Sequence, residues 1–306
     1  MSDPGPYALR QQVRAAFREG RNVTEYLRQA LGLTHNTAEI IETAYDLQAG
    51  SYIASARQGS PAHAAYVAEL AALLAPHLRP GDTLLDAGTG ELTTLSALMT
   101  ALPLRPARIC AFDISWSRLA LGTAYAREAM PPALADRLQV FVADLAAIPL
   151  ADGAVDVTIT THALEPNGAA LPGLLAELLR VTRRKLVLFE PSFETAPPEA
   201  QARMTRLGYI RDLAATARAL GATVDAVVPL ANSVNPLNPT AAFVLTPPAG
   251  RGSAGAGYTL PGTSLPLVET EGVLFSDDTG LCFPVLRGLP ILRRSAGFLA
   301  SALGQG

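Results

Sequence analysis

The run LLDAGTGELTTL, residues 84–95, sets Asp86, Gly88 and Gly90 between an apolar segment and a helix opening near Glu91. Glycine there lets a backbone approach a ligand with no Cβ in the way. A dehydrogenase fingerprint would need a third glycine where Thr93 stands, and a phosphate loop would need Gly-Lys-Ser/Thr; neither is present. Taken alone, the bend also reads as a tight strand-to-helix turn. Residues 107–116, ARICAFDISW, give a buried-type strand ending in Asp113, 23 positions after Gly90. A carboxylate at the end of a second strand can accept both hydroxyls of a ribose. Its bland alternative is a cap for the helix beginning at Ser115. Asp144, in FVADLAAIPLADGAVD, ends a strand and is placed either to take an adenine amino group or to close a turn. Asp156 begins the next strand and reads as structural.

These residues need a sheet to hold them. Apolar runs predict strands at 83–87, 107–113, 138–143, 155–160, 185–190, 223–228 and 241–246, with helices between most of them. The clearest helix spans 168–181, where Leu171, Leu174, Leu175, Leu178 and Leu179 fall on one face. Such alternation implies an α/β fold with a mainly parallel sheet covered on both faces. Ligands of these sheets bind beyond the carboxyl ends of the strands. Ahead of the sheet, residues 1–80 read as helical. Asn22 caps a short helix ending at Leu31-Gly32, Asn36 with Glu39 resembles a capping box, and Ser60-Pro61 starts a third helix.

LLDAGTGE, AFDIS, VADLAAIPLADGAVDV and LPGLLAELLRVTRRKLVLFEP, in this order and spacing, resemble class I S-adenosylmethionine-dependent methyltransferases over roughly residues 40–246. The resemblance implies a Rossmann-like seven-stranded sheet in the order 3-2-1-4-5-7-6 with the seventh strand antiparallel. It implies S-adenosylmethionine as cofactor and S-adenosylhomocysteine as product. Asp86, Gly88 and Gly90 would line the methionine end, Asp113 would hold the ribose, and Ile114 would pack on the adenine. Asp144 and Leu145 would contact the adenine edge, and Thr161 with His162 would lie beside the sulfonium. YDLQAGSYI, residues 45–53, resembles the pre-core segment of that family, so Tyr45 and Tyr52 are candidates to close over the cofactor. An aromatic face near a sulfonium is favoured by cation–π attraction; packing of a helical lid is the alternative.

Three further loops should open on the same edge: THALEPNG (161–168), EPSFE (190–194) and NSVNPLNPT (232–240). They suggest a polar pocket for a hydrophilic acceptor, with Asn167, Ser192, Asn232, Asn235 and Asn238 as candidate contacts. Turn formation beside Pro236 and Pro239 explains the asparagines equally well. Together the three loops resemble an uncharacterised bacterial methyltransferase subgroup, which does not identify an acceptor. His162 is the first choice for a general base because a free imidazole titrates near neutrality; Glu165 and Glu190 are the second choices. His35, His63 and His77 sit in or beside the N-terminal helices and read as surface residues.

Residues 247–257, PPAGRGSAGAG, read as a linker, and 258–306 as a small β module. Residues 264–292 resemble the small zinc-ribbon activator found beside some methyltransferases (Trm112-like). The family's thiolate positions carry Leu260, Thr263, Ser276 and Thr279 here, and Cys282 falls outside the pattern, so no metal is expected. The module should pack on the main domain or on a partner, and a homodimer contact is one role open to it.

The whole is therefore divided as 1–80 helical lid, 81–246 methyltransferase domain, 247–257 linker and 258–306 module. The 306 residues are 49% hydrophobic and 17% charged, with a net charge of −3, which excludes global disorder and lacks the basic excess of most nucleic-acid binders. Two distant cysteines exclude a disulfide framework and suit a reducing compartment. No signal peptide or apolar run of membrane-spanning length is evident, so a cytoplasmic protein with no membrane or nucleic-acid partner is expected. The expected activity is methyl transfer to an O or N atom of a small polar molecule. A catalytically silent cofactor-binding scaffold and a protein methyltransferase are the alternatives.

Overall fold

The computed structural model describes residues 5–233, 235–249 and 257–305. Twelve helices carry the labels α1 (Gly5–Ala8), α2 (Arg10–Arg18), α3 (Val23–Leu31), α4 (Ala38–Asp46), α5 (Ser51–Gln58), α6 (Pro61–Leu74), α7 (Thr93–Ala101), α8 (Trp116–Ala129), α9 (Pro132–Ala135), α10 (Leu171–Val181), α11 (Pro198–Leu207) and α12 (Leu213–Ala219). The large sheet comprises β1 (Thr83–Ala87), β2 (Arg108–Asp113), β3 (Leu138–Val142), β4 (Val155–Thr161), β5 (Thr182–Pro191), β6 (Thr223–Pro229) and β7 (Thr240–Thr246). Their order is β3-β2-β1-β4-β5-β7-β6, with β7 antiparallel to both neighbours. This is the Rossmann-like order the sequence resemblance implies. Strand β5 begins three residues before the predicted Lys185.

The sheet's two faces are covered as the apolar runs require. Leu85, Phe112, Phe141 and Leu188 face one layer with α10 and α12. Leu84, Ile109, Val157 and Val187 face the other with α6, α7 and α8. Charged strand beginnings are tied down: Asp156 accepts from the Thr83 N–H and pairs with Arg183, and Asp82 pairs with Arg184. Asp156 is thus structural.

The N-terminal helices start where short polar side chains accept orphan amides. Asn22 accepts from the Glu25 N–H at 2.9 Å, and Ser60 caps α6 with Pro61 in the first turn. The capping box expected at Asn36 is displaced by one residue: Thr37 caps α4. Asn36 instead buries its side chain and donates to the Pro166 carbonyl at 2.7 Å, tying the helical segment to the loop after β4.

Most of the expected linker, residues 250–256, lies outside the described residues. Beyond it, β8 (Val268–Thr270), β9 (Val273–Phe275), β10 (Leu281–Leu286), β11 (Leu289–Pro290) and β12 (Phe298–Leu299) form a small antiparallel sheet. It packs on the main domain. Leu267, Leu274, Phe283 and Leu292 join the core of the large sheet, and the Tyr258 ring meets Phe141 edge-on at 5.2 Å. The Leu292 N–H donates to the Val142 carbonyl and Ile291 bridges Val142. The module therefore covers the outer edge of β3, a row of groups otherwise open to pairing. Arg293 also reaches Glu42 of α4 at 2.5 Å, joining the module to the helical lid. No helix among the described residues is long and apolar enough to cross a membrane, and no cluster of His, Cys, Asp and Glu among them could hold a metal ion.

Candidate functional site

Strands β1, β2 and β4 are adjacent and parallel, so the segments leaving their carboxyl ends meet at one edge. The bend after β1 is built around positive backbone angles at Gly88 (φ 78°) and Gly90 (φ 61°), which other residues rarely adopt. At Gly88 the space is also closed: an added Cβ would lie 2.4 Å from the Ala163 Cβ of the loop after β4. The bend is fastened to β2. Gly88 and Thr89 both donate to the Phe112 carbonyl, and Gly90 donates to Asp113 Oδ2 at 2.9 Å. Asp113 Oδ1 accepts from the Ser115 N–H, while the cap of α8 is Ser115 itself.

Above this edge lies a cavity of about 820 Å³. Its lining includes Tyr45, Tyr52, Asp86, Gly88, Gly90, Asp113, Ile114, Asp144, Leu145, Thr161, His162, Glu165, Asn167, Asn235 and Asn238. The structure thus brings together the full expected cofactor set. Asp144 also closes a turn, accepting from the Ala146 N–H at 2.9 Å. Glu190, Ser192 and Asn232 do not line the cavity. Glu190 is fully buried and accepts three loop amides, those of Ala163, Leu164 and Glu165, at 3.0–3.1 Å. It holds the loop that carries His162 rather than facing a ligand. Ser192 is bonded by the Thr195 hydroxyl, and Asn232 is held by Glu69 through its N–H and side-chain amide.

Charge within the cavity is set by burial and by pairing. Burial pushes the Asp86 carboxyl up to about 7, opposed by the Thr89 hydroxyl bonded to Oδ2 and reinforced by Asp113. Its Oδ1 is buried without a hydrogen-bond partner among the described residues. Burial likewise raises Glu190 to about 7. His162 takes a left-handed backbone (φ 57°) and places Nδ1 2.6 Å from Glu165 Oε2. Burial disfavours the imidazolium, but the Glu165 contact outweighs it and holds His162 above its ordinary range. Glu165 is lowered despite burial by His162, Tyr209 and Asn238, whose Nδ2 donates to Oε2 at 2.8 Å. On the far side of the ring, Nε2 lies 3.3 Å from the Thr240 hydroxyl.

Several lining residues lie outside the sequence-derived set. Arg118, in the first turn of α8, sits 5.2 Å from the Tyr45 ring centre and 5.1 Å from that of Tyr52. Its guanidinium occupies the space beside Gly90 and lies 3.7 Å from Asp113. Glu91 is almost wholly buried and accepts from the Gly50 and Ile53 amides, pinning the start of α5 and with it Tyr52. His35 is exposed, as expected, and His63 half-buried; both also line the cavity, as do Tyr66 and Arg203. Motif spacing could not find them, because each comes from a helix or loop whose facing depends on tertiary packing. The buried polar Asn36 was the available signal that the segment around it faces inward.

The family described as "Methyltransferase domain" matches residues 85–189, from β1 to β5. No curated protein matches the chain. Among solved structures, the [4+2]-cyclase SpnF aligns with a TM-score of 0.55 at 17% identity, covering 71% of this chain and 98% of that one. Magnesium protoporphyrin IX methyltransferase from Synechocystis PCC 6803 aligns at 0.48 and 16%, covering 78% and 99%. A SAM dependent methyltransferase from Aquifex aeolicus aligns at 0.46 and 18%, covering 62% and 95%. The SpnF likeness shows the fold alone, since different reactions share such scaffolds. The family match covers residues 85–189, about a third of the chain, and these residues lie within the seven-stranded sheet that β6 and β7 complete.

Proposed function

We propose that the protein is an enzyme that transfers a methyl group from S-adenosylmethionine to an O or N atom of a small polar acceptor. The single observation that carries this is the convergence of the glycine bend and Asp113 on one open cavity, locked by the Gly90 to Asp113 hydrogen bond.

The residues present fit that cofactor. Asp86 offers a buried oxygen with no partner among the described residues, which suits the ammonium of a methionine moiety. Each Asp113 oxygen accepts one amide and the residue lines the cavity, so the remaining lone pairs can take ribose hydroxyls. Ile114 and Leu145 supply apolar contact for a purine, with Asp144 at its edge. Arg118 stands where it can donate to a carboxylate beside Gly90. Tyr45 and Tyr52, held by α4 and α5, form the roof.

Bound there, S-adenosylmethionine supplies a methyl carbon made electrophilic by positive sulfur. The chain's task is then to align the acceptor and take up its proton. His162 is the base, accepting at Nε2, with Glu165 holding the ring through Nδ1. A cation close by favours neutral imidazole, so loading the site prepares His162 to receive a proton. Glu190 fixes the loop backbone beneath both. The C-terminal module is read as a zinc-free relative of the Trm112-like fold that shields the β3 edge and steadies α4. A soluble, cytoplasmic enzyme working on metabolites fits this reading.

The test is turnover. Purified protein supplied with methyl-labelled S-adenosylmethionine and a deproteinised metabolite extract should form S-adenosylhomocysteine and a labelled product. Stoichiometric cofactor binding without label transfer would favour the silent scaffold, and label on protein would favour a protein acceptor.

A further inference from the structure

The cavity is divided by charge. Beside the glycine bend it carries Asp86, Glu91, Asp113 and Asp144, with Arg118 among them. Around Glu165 it carries His35, Asn36, Tyr66, Arg203 and Asn238 instead. Glu165 is the carboxylate of that half, and it is already engaged by His162, Asn238 and Tyr209. Arg203 lies 5.6 Å over the Tyr209 ring and 3.4 Å from the Leu237 carbonyl, with no carboxylate at ion-pair distance among the described residues. The acceptor half therefore holds a half-buried cation, Arg203, that contacts Tyr209 but has no carboxylate partner among the described residues.

Three buried polar atoms in the same half lack partners among the described residues: Asn36 Oδ1, Asn238 Oδ1 and Tyr66 Oη. Their residues are only 8%, 8% and 5% exposed, so these are not surface groups facing bulk water. Both amide orientations are fixed, because each Nδ2 is committed to an acceptor, the Pro166 carbonyl for Asn36 and Glu165 Oε2 for Asn238. Each amide oxygen then calls for a donor that no described residue provides. Unmet buried acceptors are costly, and hydroxyl groups on a bound molecule would meet them once the two side chains shift to open their oxygens, now closed to solvent, toward the cavity.

Resting on the reading of this cavity as a methyl-transfer site, we propose that the acceptor is a small hydroxylated anion. Its hydroxyls donate to Asn36 and Asn238, and its carboxylate or phosphate pairs with Arg203. A guanidinium binds either oxyanion through paired N–H donors. An amine-bearing cation would instead meet Arg203 beside a carboxylate already spent on His162. Arg203 is thus a specificity-determining residue, placed on α11 and remote from the cofactor half.

The experiment uses the full chain loaded with S-adenosylhomocysteine and titrated calorimetrically with 3-hydroxybenzoate, its uncharged match 3-hydroxybenzamide, and inorganic phosphate. The acid should bind at least tenfold more tightly than the amide. Arg203→Gln should erase that difference and Arg203→Lys should restore part of it, both with unchanged affinity for S-adenosylhomocysteine. Competition by phosphate would assign the subsite to phosphorylated acceptors, and its failure beside tight binding of the acid would assign it to carboxylates. Equal binding of acid and amide, absence of saturable binding by either anion, or an acid preference that survives in Arg203→Gln would overturn the proposal. Failure of S-adenosylhomocysteine itself to bind would instead overturn the reading beneath it.

Discussion

Gly90 donates its backbone N–H to Asp113 Oδ2 over 2.9 Å, so the bend after one strand and the carboxylate after the next form one rigid unit. Asp113 is 6% exposed, which strengthens every bond it makes. Asp113→Asn keeps an oxygen for one amide but removes the charge. Hydrogen bonds to charged groups contribute about 1.5–3 kcal/mol each. Affinity for S-adenosylhomocysteine should fall at least tenfold by calorimetry, with the fold retained by circular dichroism. Unchanged affinity would remove Asp113 from the site.

If Asp86 holds the cofactor as proposed, binding should be pH-dependent. Its native carboxyl is raised to about 7, well above the ordinary carboxylate value, so the folded protein holds a proton that the unfolded chain has lost. The stability from this is complete below the ordinary value and is lost as pH rises through 7. Glu190 acts in the same direction. The thermal midpoint of the ligand-free protein should therefore fall between pH 5 and 8, and less steeply in Asp86→Asn. An ammonium seated at Asp86 favours the carboxylate. Binding of S-adenosylhomocysteine near pH 6.5 should then release protons, read from the dependence of calorimetric heat on buffer ionisation. Asp86→Asn should abolish that release.

On the proposed mechanism, the His162–Glu165 pair should set the acid limb of activity. His162 must be neutral to accept a proton, and Glu165 holds its titration above the ordinary imidazole range. Turnover should rise with pH through that raised value. Glu165→Gln removes the carboxylate, so the limb should move to lower pH while maximal turnover falls with the loss of ring orientation. His162→Gln should lower turnover by about 100-fold, the usual scale of a general base, with little change in cofactor affinity. A pH profile that does not move in Glu165→Gln would exclude the pair as the base.

Gly88→Ala tests how closely the two loops meet. The new Cβ would lie 2.4 Å from that of Ala163, on a backbone of positive φ. Strain and overpacking of this kind cost about 1–3 kcal/mol each, so the thermal midpoint should drop by several degrees. Adding Ala163→Gly should recover the packing part of the loss but not the backbone part.

The C-terminal module is expected to fold without a metal. Leu260, Thr263, Ser276 and Thr279 offer no thiolate, and the module is instead anchored by Leu267, Leu274, Phe283 and Leu292 in the main core. Elemental analysis of purified protein should find no stoichiometric zinc, and chelators should leave the thermal midpoint unchanged. One equivalent of tightly held zinc would contradict this.

The parts legible in the sequence were those carried by local pattern. Apolar runs mark all seven strands of the large sheet, and the spacing from Gly90 to Asp113 places two loops on one edge. Facing was harder. Glu190 sits at a strand end like Asp113, yet its side chain turns under the loop to accept three amides, a role decided by where Ala163 to Glu165 pass. Arg118 follows Asp113 by five positions, but only the packing of α4 and α5 above α8 brings Tyr45 and Tyr52 to its guanidinium. His35 and His63 face the cavity for the same kind of reason. The covering of β3 by Ile291 and Leu292 depends on chain sections far apart in sequence and left no periodic trace.

The most direct test of the central claim is a crystal structure of the protein grown with S-adenosylhomocysteine. The account predicts ribose hydroxyls within hydrogen-bond distance of Asp113, the purine between Ile114 and Leu145, and the amino group at Asp86. Density for the nucleoside at any other place, or a cavity that stays free of it at saturating concentration, would contradict it.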